Sequence, residues 1–199
     1  MNGVSPLVIK VGGSLAEAGR LGGTLEMLSA AQIPIVIVPG GGPFADAVRS
    51  LQREIDFTDA VAHRLAMLAM EQMAEWIVSQ RPGLKVAHSV DEIADCIMDG
   101  QIPVWAPLRM IGDDETIAAD WSSTSDSLAV RLAELLGGRL ILLKSVDVAD
   151  DLSAEELARQ GVVDRLFPEI VARTGVSWSI FGPANDAAVA AILAGEGAD

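Results

Sequence analysis

Short apolar runs alternate along this chain with longer segments in which apolar residues recur at helical spacing. The runs are rich in valine and isoleucine, a pattern typical of strands buried on both faces of a parallel sheet. The predicted strands lie at 7–11, 35–38, 84–87, 103–106, 140–143 and 177–181. The predicted helices lie at 21–31, 44–53, 58–79, 91–98, 125–136, 153–159, 163–173 and 185–194. This alternation predicts an α/β fold, a three-layer αβα sandwich with a mainly parallel central sheet.

Two of these helices carry apolar residues whose burial bears on assembly. In helix 44–53 the spacing of Phe44, Val48 and Leu51 predicts a stripe that faces inward. In helix 58–79, which Thr58 is suited to cap, apolar side chains cover more than one core-facing stripe: Met67, Met70, Met73 and Trp76. We therefore expect a homo-oligomer with helix 58–79 at or near its interface.

Length and charge narrow the class of protein. A chain of 199 residues predicts one domain spanning 1–199. A formal charge of −14 argues against nucleic acid and against an anionic membrane surface as partners. The single cysteine, Cys96, predicts a reducing compartment, and no apolar run is long enough to span a bilayer. These features favour a soluble cytoplasmic protein that binds small molecules.

Two glycine-rich turns follow the first two predicted strands. Lys10-Val11-Gly12-Gly13-Ser14 ends the first strand, and Gly40-Gly41-Gly42 follows the second. Backbone N–H groups at a turn between a strand and a helix bind anions, and a lysine adds a charge that a phosphate can use. Ordinary turns remain the alternative for each. Two such turns in consecutive strand–helix units predict a site that holds two phosphate-bearing groups side by side.

Three further places carry candidate polar chemistry. Thr124-Ser125-Asp126-Ser127 opens a helix; it is either an N-cap cluster or a phosphate site in which Asp126 aligns nearby lysines. Arg49 is placed either to reach an acceptor anion or to lie in solvent. His63, in the first turns of helix 58–79, is either a partly satisfied helix residue or a substrate ligand.

The order of these motifs resembles the amino acid kinase superfamily, which includes acetylglutamate, aspartate, uridylate and isopentenyl phosphate kinases. It is most similar to the archaeal branch that phosphorylates the aminomethylfuran-methyl phosphate precursor of methanofuran. Bacterial relatives of that branch occur with tetrahydromethanopterin-linked one-carbon metabolism. The matching segments are Gly12 to Leu15, Pro39 to Ala45, His63 to Ala66, Trp121 to Leu128 and Val163 to Pro168.

The resemblance implies a kinase that uses ATP and Mg²⁺ and transfers the γ-phosphoryl group to a phosphomonoester. It implies that Lys10, Asp126 and Lys144 are catalytic, with Asp126 organising the two lysines. The residues implied to bind the nucleotide are Gly12, Gly13, Ser14 and Asp147. Those implied to bind the acceptor are Gly40, Gly41, Gly42, Arg49, His63, Thr124 and Ser125. No protein ligand is assigned to a metal, because phosphate oxygens are expected to hold Mg²⁺.

One segment departs from the family pattern. Val146-Asp147 runs into Val148-Ala149-Asp150-Asp151-Leu152, without the glycine, the aromatic residue and the longer loop that pack on adenine in relatives. We therefore expect little discrimination between ATP and GTP. The alternative function is a non-catalytic ligand-binding or assembly protein on the same fold with a degenerate nucleotide site.

Overall fold

The computed structural model describes residues 5–149 and 152–196 of the chain. They form one six-stranded sheet in the order β3-β4-β2-β1-β5-β6, with every adjacent pair parallel. The strands are β1 (Leu7–Val11), β2 (Ile35–Pro39), β3 (Leu84–Ala87), β4 (Ile102–Trp105), β5 (Leu140–Leu143) and β6 (Trp178–Phe181). Helices cover both faces of the sheet, so the predicted αβα sandwich is confirmed.

Ten α-helices lie in the described ranges. They are α1 (Ser14–Glu17), α2 (Leu21–Ser29), α3 (Gly42–Ile55), α4 (Asp59–Gln80), α5 (Val90–Met98), α6 (Leu108–Ile111), α7 (Ser125–Leu136), α8 (Ala154–Arg159), α9 (Phe167–Thr174) and α10 (Asp186–Leu193). The one-turn helices α1 and α6 were not predicted, because four residues show no periodicity. The predicted helix 163–173 begins only at Phe167, since the residues before it form a turn that binds α7.

The alternation of side chains along the central strand separates two hydrophobic cores. Val8 packs on one face of the sheet, with residues of α7 and α9, whereas Ile9 and Val11 pack on the other, with residues of α2 and α10. Lys10 has the parity of Val8 and therefore lies on the α7 face. It pairs in register with Val38 of β2 and Leu142 of β5, so it lies in the middle of the sheet.

The expected inward stripe of α3 is wrong. Phe44 and Leu51 are each 42% exposed, and Ala45 is the buried residue of that helix. The physical reason is that α3 packs mainly against α4. On α4, Met67, Met70 and Met73 are buried within this chain, so they are core residues and not interface residues.

Candidate functional site

The two glycine turns meet because they end neighbouring parallel strands. A Cβ on Gly13 would lie 2.6 Å from the Cα of Gly42, and a Cβ on Gly40 would lie 2.6 Å from the nitrogen of Gly13. Gly42 also has a φ of +51°, in the left-handed region. The turns therefore pack backbone to backbone, at a distance that only glycine permits. This contact gives the glycines a structural role and brings the N-termini of α1 and α3 together.

A buried carboxylate joins the two lysines beside these turns. Asp126 Oδ1 lies 2.8 Å from Lys10 Nζ, and Lys144 Nζ donates to both carboxylate oxygens of Asp126 at 3.0 Å. Lys10 extends from β1, Lys144 follows β5, and Asp126 lies in the first turn of α7. The arrangement needs the β1–β5 pairing, which brings residues 10 and 144 together across the sheet.

The pKa values in this cluster follow from burial and mutual charge. Burial, and after it the charge of Lys10, lower the pKa of Lys144 to about 8, although Asp126 opposes both effects. Burial alone would raise the pKa of Asp126, but the two lysines outweigh it and hold that pKa below its ordinary value. Asp126 is thus a fixed anion, and Lys144 is a cation that titrates close to neutral pH.

Asp164 holds the N-terminus of α7 in place. Its Oδ2 accepts from the Thr124 N–H at 2.8 Å, the Thr124 hydroxyl at 2.9 Å and the Ser127 N–H at 3.0 Å. Its Oδ1 accepts from the Ser127 hydroxyl and from the Phe167 N–H, the latter at 2.9 Å. Burial and the charge of Asp126 raise the pKa of Asp164, and the hydrogen bonds oppose that rise. Thr124 is the N-cap residue by position, but its side chain makes no capping bond, so the cap comes from Asp164.

A cavity of about 260 Å³ opens beside this cluster. Its polar end is formed by both glycine turns and by Thr124 and Ser125, so the N-termini of α3 and α7 line it together. The cavity is also lined by apolar side chains, those of Ala45, Ala66, Met67, Met70 and Leu128. Helix N-termini attract anions, whereas thioether and aliphatic groups suit a compact apolar body. The cavity therefore suits a small molecule that is anionic at one end.

The structure brings most of the predicted site residues together. Those that line the cavity are Gly13, Ser14, Gly40, Gly41, Gly42, Arg49, His63, Thr124 and Ser125. Gly12 adjoins the lysines, since a Cβ there would lie 3.5 Å from Lys10 Nζ. Asp147 is different: its Oδ1 accepts from the Ala184 N–H at 2.8 Å, which ties the ends of β5 and β6 together. Asp150 and Asp151, in the segment that departs from the family pattern, lie outside the described residues.

Arg49 and His63 have partners within the cavity wall. The Arg49 guanidinium stacks 4.3 Å from the ring centre of Trp121 and lies 2.9 Å from Asp46 Oδ1. Burial lowers the pKa of His63, against a hydrogen bond with the backbone of Asp120, so its imidazole is mostly neutral at pH 7. Trp121 lines the cavity, and it belongs to the segment 121–128 that resembles the kinase branch.

Within residues 5–149 and 152–196, no group of three or more His, Cys, Asp or Glu side chains could hold a metal ion. In the same ranges, no helix is both long and apolar enough to cross a membrane.

Glycine turns, paired lysines and helix N-termini at the carboxyl edge of a parallel sheet are the apparatus of a phosphoryl-transfer enzyme. Residues 5–157 match the amino acid kinase family, and the chain belongs to that family. It is accordingly a phosphotransferase.

Individual relatives agree with this assignment. The chain is 25% identical over 174 residues to the [5-(aminomethyl)furan-3-yl]methyl phosphate kinase of Methanocaldococcus jannaschii, covering 81% of this chain and 80% of the relative. Its fold matches uridylate kinase from Archaeoglobus fulgidus, with a TM-score of 0.67, 18% identity and coverage of 94% and 95% of the two chains. It also matches T. acidophilum isopentenyl phosphate kinase, with a TM-score of 0.59, 14% identity and the same coverage.

Proposed function

We propose that the chain transfers the γ-phosphoryl group of ATP to the phosphate of a small phosphomonoester and so forms a diphosphate. The observation that carries this proposal is that both glycine turns and the N-termini of α3 and α7 line one cavity, beside Lys10, Asp126 and Lys144. These groups supply positive potential to two neighbouring anions. Family membership favours this enzyme over a non-catalytic binding protein.

The proposed roles follow from the positions of the groups. Gly12, Gly13 and Ser14 hold the donor phosphates, with Lys10 and Lys144 offsetting their charge. Gly40, Gly41 and Gly42, with the N-terminus of α7, hold the acceptor phosphate. Asp126 fixes both ammonium groups before substrates arrive, so little reorganisation is needed during transfer.

The chemical step needs few other groups. An oxygen of the acceptor phosphate attacks the γ-phosphorus while the bond to the β,γ-bridging oxygen breaks, and ADP leaves. No general base is required, because a phosphomonoester oxygen is already anionic near neutral pH. Mg²⁺, when bound to the phosphate oxygens, supplies further charge neutralisation.

The acceptor that we propose is [5-(aminomethyl)furan-3-yl]methyl phosphate, the substrate in the name of the M. jannaschii relative. The apolar lining that includes Met67, Met70 and Leu128 suits a flat furan ring. The carboxylate of Glu17 also lines the cavity and complements an ammonium group. This acceptor would place the chain in methanofuran and tetrahydromethanopterin-linked one-carbon cofactor biosynthesis.

The test is phosphorus NMR of reactions that contain MgATP and one acceptor each: the aminomethylfuran phosphate, uridine monophosphate or isopentenyl phosphate. We expect a diphosphate product mainly from the first. Asp126→Asn, which leaves two buried lysines without their counter-charge, is the inactive control. Product only from another acceptor would refute the assigned substrate but keep the reaction. No product from any acceptor, with nucleotide still bound, would favour the binding protein.

We also propose that a second copy of this chain covers the outer face of α3 and α4. Large apolar side chains are exposed there: Phe44, Leu51, Ile55, Val61, Leu68 and Trp76. An apolar surface that spans two packed helices is unusual for a monomer. Light scattering at micromolar concentration should give a multiple of the 20.8 kDa chain mass, and Leu51→Glu together with Ile55→Glu should reduce it. A monomeric wild-type chain would contradict this.

A cytoplasmic location is likewise a proposal. Cys96 is buried and unpaired, which suits a reducing compartment. Cell fractionation should recover the protein with the cytoplasmic enzymes and not with membranes.

A further inference from the structure

Ser123 is one of the residues that line the cavity, and its hydroxyl has no hydrogen-bond partner in the described part of the chain. The residue is 2% exposed, and its Oγ is one of two buried side-chain polar atoms without a hydrogen-bond partner among the described residues. The other is Arg20 Nη1, outside this cavity. A buried hydroxyl without a partner lowers stability, whereas an alanine would occupy the same place without that cost.

Two neighbouring hydroxyls on the same segment are already hydrogen-bonded. Those of Thr124 and Ser127 both donate to Asp164, where they hold the start of α7. Ser123 precedes these residues, next to the N-cap Thr124, and it lines the cavity with Thr124 and Ser125. The packing of the described ranges leaves its hydroxyl buried without a partner, and the residue adjoins the N-terminus of a twelve-residue helix.

We propose that Ser123 determines acceptor affinity by donating its hydroxyl hydrogen to a phosphate oxygen of the bound phosphomonoester. This inference rests on the proposed function, because it needs a phosphate at the N-terminus of α7. The helix terminus favours an anion there, and an anionic oxygen accepts a hydrogen bond from the neighbouring hydroxyl. Ligand binding would thus satisfy the group that the free protein leaves unsatisfied.

A trade-off between stability and binding follows. Ser123→Ala removes a buried unpartnered group, so the free protein should unfold at the same temperature as the wild type or higher. The same change should weaken the acceptor, because its phosphate loses a donor. If Ser123 instead served only the fold, Ser123→Ala would have a lower unfolding temperature and an unchanged acceptor affinity.

The experiment compares the wild type, Ser123→Ala and the matched control Ser122→Ala. The Ser122 hydroxyl already bonds to the Asp120 carboxylate, and Ser122 does not line the cavity. With [5-(aminomethyl)furan-3-yl]methyl phosphate as the probe, Ser123→Ala should raise the acceptor KM about tenfold, as loss of one hydrogen bond to a charged oxygen predicts. The ATP KM should change less than about twofold. Ser122→Ala should leave both KM values within about twofold of the wild type.

Thermal unfolding with and without the probe separates the possible failures. If the probe raises the wild-type unfolding temperature but no phosphoryl transfer occurs, the proposed function fails. In that case the role of Ser123 is judged by whether Ser123→Ala abolishes the shift. A lower unfolding temperature for free Ser123→Ala, or an unchanged acceptor KM, overturns the role of Ser123 alone. A wild-type chain that neither binds nor converts the probe or the other two acceptors overturns both proposals.

Discussion

The ionisation of Lys144 makes a prediction that unfolding and kinetics can both test. Its side chain is 10% exposed, and burial beside Lys10 lowers its pKa to about 8. The same lysine in an unfolded chain has a pKa of about 10.4. The unfolded chain therefore binds more protons between these two values, so the free energy of unfolding rises as the pH increases from about 8 to about 10.4.

The size of the effect follows from the separation of the two pKa values. A difference of about 2.4 units corresponds to about 3 kcal/mol of stability, regained as Lys144 loses its charge. Lys144→Met lacks this ionisation and should not show the gain. The unfolding free energy of the wild type relative to this variant should therefore increase by about 3 kcal/mol across that interval.

The assay is urea unfolding from pH 7 to pH 10.5, with Lys85→Met as the matched control because Lys85 is exposed on β3. For Lys85→Met, the difference in unfolding free energy from the wild type should not change with pH. If the difference for Lys144→Met is equally independent of pH, the reasoning is refuted. In kinetics, kcat/KM should fall above pH 8, where free Lys144 is neutral. The corresponding fall in kcat should occur at a higher pH than the fall in kcat/KM, because bound phosphates favour the charged form of Lys144.

Three further predictions concern the site. Lys10→Ala should lower kcat by at least about 100-fold, since removal of one transition-state donor typically costs about 3 kcal/mol or more. Unchanged turnover would exclude a catalytic role for Lys10, and activity lost only in step with thermal stability would indicate a structural role. Asp164→Ala should lower the free energy of unfolding by about 2–4 kcal/mol in urea titrations, because it leaves the Thr124 and Ser127 donors unpaired, and stability equal to the wild type would contradict this. Steady-state kinetics should give similar, weak KM values for ATP and GTP, because the sequence of segment 148–152 lacks the glycine and the aromatic residue that pack on adenine in relatives. A strong preference for ATP would point to segment 181–183.

The sheet was predictable because each strand is short, apolar and bounded by turn residues. The predicted strands agree with β1 to β6 to within one residue at each end. Helical period was a weaker guide to burial. It located α3, but Phe44 and Leu51 lie on a face that this chain leaves exposed, and amphipathic spacing cannot tell a core-facing stripe from a surface that another copy covers.

The capping of α7 was not predictable from local sequence. The segment Thr124 to Ser127 contains three hydroxyls, each a plausible cap by composition. The carboxylate that accepts from the hydroxyls of Thr124 and Ser127 is Asp164, separated by 40 positions from Thr124 and brought near by the packing of α9 on α7. A rule based on neighbouring residues cannot find such a partner. The one local signal was the segment Val163 to Pro168, which matched the kinase branch without indicating what its aspartate does.

The site residues come together because of the strand order more than because of any single motif. The first glycine turn, the second glycine turn and Lys144 follow β1, β2 and β5, which are neighbours in the sheet although β5 is distant in sequence. Because all three strands are parallel, their carboxyl ends meet at one edge. Asp126 reaches that edge from α7, on the face to which the parity of Lys10 directs its side chain. A one-residue shift of β1 would turn Lys10 to the opposite face and separate it from Asp126, so the register of a buried strand is itself part of the catalytic apparatus that we propose.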